Sequence, residues 1–197
     1  MEFIIHKINT IQGLNQIPKE YGCEIDIRTD GSRLILNHDP FTSGDLLTDY
    51  LDEYNNGTLV LNIKESGIED IILEEVKKRG IKSYFLLDVE FPYLFSATKK
   101  GERNIAVRFS EKEPIENVVQ FKDQLDWVWI DTITQLPINE SNHNFLKNFK
   151  TCLVCPSRWG RENEIEKIKN NIFLKKIKNK TNKEDLIEII KFLKKES

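Results

Sequence analysis

Short runs of Val, Ile, Leu and aromatic residues alternate along the chain with charged stretches in which apolar positions recur every three or four residues. That alternation predicts β-strands separated by amphipathic helices, the pattern of βα units around a parallel sheet. Strands are expected at Phe3 to His6, Glu24 to Arg28, Thr58 to Lys64, Ser83 to Val89, Ile105 to Phe109, Trp127 to Ile133 and Thr151 to Cys155. Most are apolar on both faces, as strands covered on both sides must be. Ile68 to Arg79 sets Ile71, Ile72 and Val76 among Glu and Lys and stops at Gly80, which predicts a helix closed by a C-terminal glycine. Further helices are expected at Gly44 to Tyr54, Tyr93 to Lys100, Ile115 to Leu125 and Glu162 to Asn170. The tight turn at Asp30-Gly31 folds Arg33 to Asn37 back as the second arm of a hairpin.

Seven strands are clear in this pattern, and an eighth is placed near Ile172 to Ile177. A closing amphipathic helix is expected at Lys183 to Lys195, where Leu186, Ile187, Ile190 and Leu193 repeat at helical spacing. The fold expected is a single α/β domain over 1–197, a small (β/α)8 TIM barrel with shortened or missing helices, since such barrels usually take about 250 residues. An open doubly wound sheet competes, but the Gly-x-Gly-x-x-Gly expected after its first strand is absent.

Composition narrows the function classes. With 29 Lys+Arg against 32 Asp+Glu, a net charge of -3 and 39% hydrophobic residues, the chain reads as neither a disordered polyelectrolyte nor a basic nucleic-acid binder. Lys178 to Lys183 is a short polar loop without interleaved aromatics. Met1-Glu-Phe offers no basic leader, and no run approaches about 18 apolar residues, so a cytoplasmic protein without an integral membrane segment is expected. The three cysteines are an odd count, for which reduced thiols are the default. Cys152 and Cys155 sit on one buried strand with opposite facing and lack a second Cys/His pair, which argues against a zinc or redox site.

The informative polar residues interrupt strands. His6 ends the first, Glu24 and Asp26 break the second, Asn62 and Lys64 end the third, and Asp88, Arg108 and Asp131 end the next three. In a parallel barrel the carboxyl ends of the strands share the face that carries the active site. Glu24 and Asp26, two apart on a strand, point to one face, where two carboxylates repel unless a cation or shared proton holds them. Hard oxygen ligands suit Mg2+ or Ca2+. His6 and the hairpin-borne His38 then flank the same place, with unperturbed pKa values suited to acid and base work near neutrality.

His6 after a short apolar run, Glu24-x-Asp26, the turn Thr29-Asp30-Gly31 and His38-Asp39 together resemble the glycerophosphodiester phosphodiesterases, members of the phosphatidylinositol-phospholipase-C-like TIM barrels. The match is specific over Ile4 to Pro40 and loose beyond it. The resemblance implies a metal-dependent hydrolase of a small-molecule phosphodiester, with His6 and His38 as the acid/base pair and Glu24 and Asp26 as metal ligands. The family's His-Arg is His6-Lys7 here, which leaves the basic phosphate contact to an ammonium. Its third ligand, a Glu, is replaced by Asn62 in Leu61-Asn62-Ile63-Lys64, so either Asn62 or a neighbouring carboxylate such as Asp88 completes the metal site. The family's late Trp-Thr-x-Asn becomes Cys155-Pro-Ser-Arg-Trp-Gly-Arg161, a variant similar to compact bacterial members found among polysaccharide-biosynthesis enzymes. Lys64, Arg108, Arg158 and Arg161 are candidates to neutralise the phosphate, with Asp88, Asp131 and Trp159 lining the substrate; Trp127 and Trp129 are expected to pack in the core. The alternative is a non-catalytic phosphate-sugar-binding barrel with a degenerate metal site, supported by the altered third ligand.

Overall fold

The computed structural model describes residues 2–178 and 186–190. Among the described residues ten strands run in chain order as β1 (Glu2–Ile5), β2 (Gly22–Asp30), β3 (Arg33–Leu36), β4 (Asp45–Leu46), β5 (Leu59–Ile63), β6 (Tyr84–Leu87), β7 (Ala106–Phe109), β8 (Trp127–Ile130), β9 (Lys150–Val154) and β10 (Leu186–Ile190). The architecture is mixed α/β. It divides into two compact units, one spanning 4–96 and the other 97–197 together with 1–3.

In the unit 4–96, β1, β2, β5 and β6 lie side by side and parallel, with Ile4 beside Gly22, Asp26 beside Asn62, and Asn62 beside Leu87. The expected hairpin forms: β3 runs antiparallel to β2, pairing Leu36 with Ile27, and Gly31 takes the left-handed turn position at φ +63. A further short pairing of β4 with β3 holds Asp45 and Leu46 extended, so the helix expected from Gly44 begins only at Leu47 and runs Leu47–Glu53. Gly22 is required by close approach, because a Cβ there would lie 2.2 Å from the backbone oxygen of Thr58. That contact lets Cys23 N–H donate to Thr58 O at 3.1 Å and starts the β2–β5 ladder. Helix Glu69–Lys78 ends at Gly80, φ +68, as its pattern predicts, and buries Ile72 and Val76 of the expected stripe, but Leu73 turns inward and Ile71 is exposed.

In the unit 97–197, β7, β8, β9 and β10 are again parallel, with Arg108 beside Trp129 and Trp129 beside Cys152. Its core is built from Phe109, Val128, Ile130, Leu146, Leu153, Leu174 and Ile177. Trp127 and Trp129 are buried in β8, as expected of packing residues, and Cys152 and Cys155 are buried free thiols.

The eighth strand is where sequence and structure part. Ile172–Lys178 is a helix, not a strand. Asn171 caps it by accepting the N–H groups of Phe173 and Leu174, and Leu174 and Ile177 bury while Ile172 stays exposed, a spacing of three that a strand does not give. The strand is instead Leu186–Ile190, inside the expected closing helix, parallel to β9 with Leu186 beside Thr151. Leu-Ile-Glu-Ile-Ile is a short apolar run rich in β-branched residues, for which helical spacing is no discriminator. The remainder of that expected helix, and the polar loop beyond Lys178, lie outside the described residues.

Candidate functional site

The site in the unit 4–96 begins with β2. Alternation along this strand puts Glu24 and Asp26 on one face and Ile25 and Ile27 on the other, and all four are 0% exposed. Burying two carboxylates is costly unless their oxygens find donors. They find them on two segments, the stretch 6–9 after β1 and the strand β5. Lys7 adopts the left-handed conformation, φ 59, and its backbone N–H donates to Glu24 Oε2 at 2.8 Å. The Nε2 of His6 lies 3.6 Å from the same oxygen. Asn62, beside Asp26 on β5, donates its amide to Glu24 Oε1 at 2.7 Å and to Asp26 Oδ1 at 3.2 Å. Asn9 donates to Asp26 Oδ2 at 2.9 Å and accepts the Asp26 N–H at 2.8 Å. Burial, and then the charge of Asp26, push the Glu24 carboxyl up to about 7.

Lys64 follows β5, and its ammonium, 17% exposed, sits 3.1 Å from Asp26 Oδ1 and 4.0 Å from Asp88 Oδ2. Asp88 follows β6 and is also left-handed, φ 60. Left-handed non-glycine residues cost of order 1 kcal/mol each and gather at functional sites. His38 reaches this set through its main chain: Arg28 donates to the carbonyls of His38 at 3.0 Å and Lys64 at 3.2 Å. Its ring is half-exposed and meets Asp39 through Nδ1 at 2.8 Å. That bond holds the Asp39 carboxyl below the usual range.

The structure therefore joins His6, Glu24, Asp26, Asn62, Lys64 and Asp88 in one network. Lys7 contributes its backbone to that network, while its side chain is exposed. Asn9 and Arg28, which sequence reasoning missed, hold the carboxylate and the histidine segment in place. Asn9 had a signal, being the polar residue before Thr10, whose hydroxyl caps the next short helix by accepting from Gly13 N–H at 3.0 Å. Arg28 had none.

The remaining candidates lie in the unit 97–197. Asp131, just past β8 and 4% exposed, accepts from Arg108 Nη1 at 3.1 Å, from the Trp159 indole at 2.9 Å and from its neighbour Thr132 N–H at 3.0 Å. Arg108 lies over the Trp129 ring at 5.8 Å, and Arg158 over Trp159 at 5.8 Å. Arg161 is turned to the Thr132 carbonyl and to Glu164, the latter at 2.7 Å. Asp131, Arg108 and Trp159 form one hydrogen-bonded group, to which Arg158 adds a cation over the indole.

As they stand, the donors around Glu24 and Asp26 do not fit a divalent ion. Each of the four carboxylate oxygens already receives an N–H donor, and the Asn62 amide presents them its nitrogen rather than its oxygen. Among the described residues no group of three His, Cys, Asp or Glu is placed to hold a metal. No helix of the described residues is long and apolar enough to cross a membrane.

No protein-family model and no curated protein matches the chain in sequence. Solved structures do match in fold, among them two glycerophosphoryl diester phosphodiesterases. One, from Agrobacterium tumefaciens and provisionally named a glycerophosphoryl diester phosphodiesterase, superposes with a TM-score of 0.61 at 8% identity, covering 96% of this chain and 93% of its own. The other, a glycerophosphoryl diester phosphodiesterase from Parabacteroides distasonis, gives 0.57 at 12% identity, covering 95% of this chain and 82% of its own. The resemblance carried by His6, Glu24-x-Asp26 and His38-Asp39 is thus met by the fold: the chain has the architecture of solved glycerophosphoryl diester phosphodiesterases.

Proposed function

We propose that the protein is a phosphoric diester hydrolase acting on a small glycerophosphodiester or sugar phosphodiester, and that its parallel strands close as one (β/α)8 domain over 1–197. Eight parallel strands among the described residues, β1, β2 and β5 to β10, support the barrel. The observation that carries the activity is His6, just past β1, beside the buried carboxylate pair of β2, in the fold of this enzyme class.

Hydrolysis needs a base for the attacking hydroxyl and an acid for the departing alkoxide. His38 suits the first. Its Nδ1 faces the Asp39 carboxylate, which only accepts, so the neutral ring carries its proton there and its lone pair on Nε2. His6 suits the second, because its Nε2 lies beside the carboxylate pair, 3.6 Å from Glu24 Oε2. The Lys64 ammonium, with three donors and one close carboxylate, can also donate to a phosphoryl oxygen. A divalent ion between Glu24 and Asp26 is the second reading, favoured by the shared face of the two carboxylates. It requires the Asn62 amide to turn over and Lys64 to withdraw from Asp26.

The test is turnover of bis(p-nitrophenyl) phosphate and a panel of glycerophosphodiesters by the parent, His6→Ala and His38→Ala. Each variant is expected to lose about 100- to 10,000-fold. Both staying within a few-fold of an active parent would sink the assignment. No turnover with retained phosphate-sugar binding would make the protein a binding barrel.

A further inference from the structure

The carboxylate pair is neutralised from within the chain. Four oxygens, Oε1 and Oε2 of Glu24 and Oδ1 and Oδ2 of Asp26, receive the Asn62 amide at 2.7 Å, the Lys7 N–H at 2.8 Å, the Lys64 ammonium at 3.1 Å and the Asn9 amide at 2.9 Å. The Asn62 amide nitrogen spans both carboxylates, with its second bond at 3.2 Å. Its other atom, Oδ1, is buried without a hydrogen-bond partner, so this orientation is the one the carboxylates dictate. Turning the amide over, to offer Oδ1 to an ion, would break two bonds and set a third oxygen against two anions.

We infer that Lys64 and Asn62 together take the place of a divalent ion, so that the site binds and cleaves its phosphodiester without a metal. The inference rests on the hydrolase reading above. An ammonium at 3.1 Å supplies the positive charge Asp26 needs, and an amide donor bridges Glu24 to Asp26 as an ion would. Lys64 is also the group of this set that is partly open to solvent and bears a fixed positive charge, so its remaining N–H bonds are the ones an incoming phosphoryl oxygen meets. Hydrolysis adds water across the P–O bond and calls for no other co-reactant.

Calorimetric titration of Mg2+ and of Ca2+ into the purified chain, alongside phosphodiester turnover in excess chelator and in excess metal, tests this. Expected are no saturable binding up to about 1 mM, the range of weak calcium sites, and the same turnover with or without metal. Lys64→Met should lose about 100- to 1,000-fold in turnover without rescue by either ion, as for a lost oxyanion donor, while Lys64→Arg recovers part of it. Asn62→Glu should gain metal binding; Asn62→Asp, whose shorter side chain disturbs packing less, serves if the first fails to melt cooperatively. Saturable binding to the parent that Asp26→Asn removes, or turnover that chelator abolishes, would overturn the inference and leave the hydrolase reading standing. No turnover under any condition would instead overturn the hydrolase reading, and the titration alone would then decide whether the carboxylate pair takes an ion.

Discussion

Two buried polar groups can be set beside each other. In the unit 4–96, Glu24 and Asp26 are both 0% exposed and are matched by one ammonium, two side-chain amides and a backbone N–H. In the unit 97–197 a single carboxylate, Asp131, is matched by the Arg108 guanidinium, 33% exposed, and the Trp159 indole. The first group has more carboxylates than cations, and its donors come from β1's end, β2's neighbours and β5. The second sets the Arg108 guanidinium on one carboxylate, with Arg158 over the Trp159 ring. The difference lies in the partners: every oxygen of the first pair is closed by an N–H donor from the chain, whereas the second carboxylate is held by an arginine, an indole and one backbone N–H.

The largest expected contrast is in stability. Asp26→Ala strands the Asn9 amide and leaves the Lys64 ammonium only Asp88 at 4.0 Å, while Asn62 keeps its bond to Glu24, and breaking a buried pair in this way costs about 3–5 kcal/mol. Asp131→Ala releases a guanidinium that water can reach, and should cost about 1–2 kcal/mol. Urea unfolding of both variants measures this, and equal losses would erase the distinction. Asp26→Leu combined with Lys64→Met should recover part of the first loss.

The pH dependence sharpens it. The Glu24 carboxyl is held at about 7 in the folded chain against an ordinary value of 4.5, so the folded state holds a proton that the unfolded state has lost between those two values. That contribution to stability is complete below the ordinary value and is lost as pH rises through about 7. The melting temperature should fall from pH 5 to pH 8 by more in the parent than in Glu24→Gln. Asp131→Asn should leave that slope unchanged; a parent slope no steeper than that of Glu24→Gln would refute the assignment.

Smaller effects probe the supports of His38. Asp39→Asn loosens the hold on Nδ1 and should lower turnover about 10-fold, with a shift in its pH profile, as lost orienting partners do. Arg28→Met, which unties the carbonyls of His38 and Lys64, should lower turnover by less, with the melting temperature nearly unchanged. Glu113→Gln, on the loop after β7, should change neither reading.

Much of this was legible in the chain. Strand positions from Phe3 to Cys155 needed only apolar runs and their turns, and helix 69–78 needed its stripe and Gly80. The pairing of Glu24 with Asp26 on one face followed from the two-residue repeat of a strand, and the hairpin carrying His38 from Asp30-Gly31. What failed was the end of the chain, where Ile172–Lys178 and Leu186–Ile190 exchanged the roles expected of them. Both are short runs rich in Ile and Leu, and local periodicity separates helix from strand poorly at that length. Pairing with β9 made one a strand, and the Asn171 cap with buried Leu174 and Ile177 made the other a helix.

Residue order by itself determined that Glu24 and Asp26 share one face of β2, that Asn62 and Lys64 fall at the end of β5, and that His38 follows the hairpin, because strand alternation and the Asp30-Gly31 turn leave few other places for them. Only the tertiary structure decided how they are joined. The left-handed turn at Lys7 aims a backbone N–H at Glu24, the register of β2 and β5 sets Asn62 against Asp26, and Arg28 ties the hairpin to Lys64. None of these is a property of a residue or its neighbours in sequence, since each depends on a partner between 10 and 38 positions away. Whether two buried carboxylates are closed by an ion or by the chain is settled at that distance, by which donors the fold brings within about 3 Å.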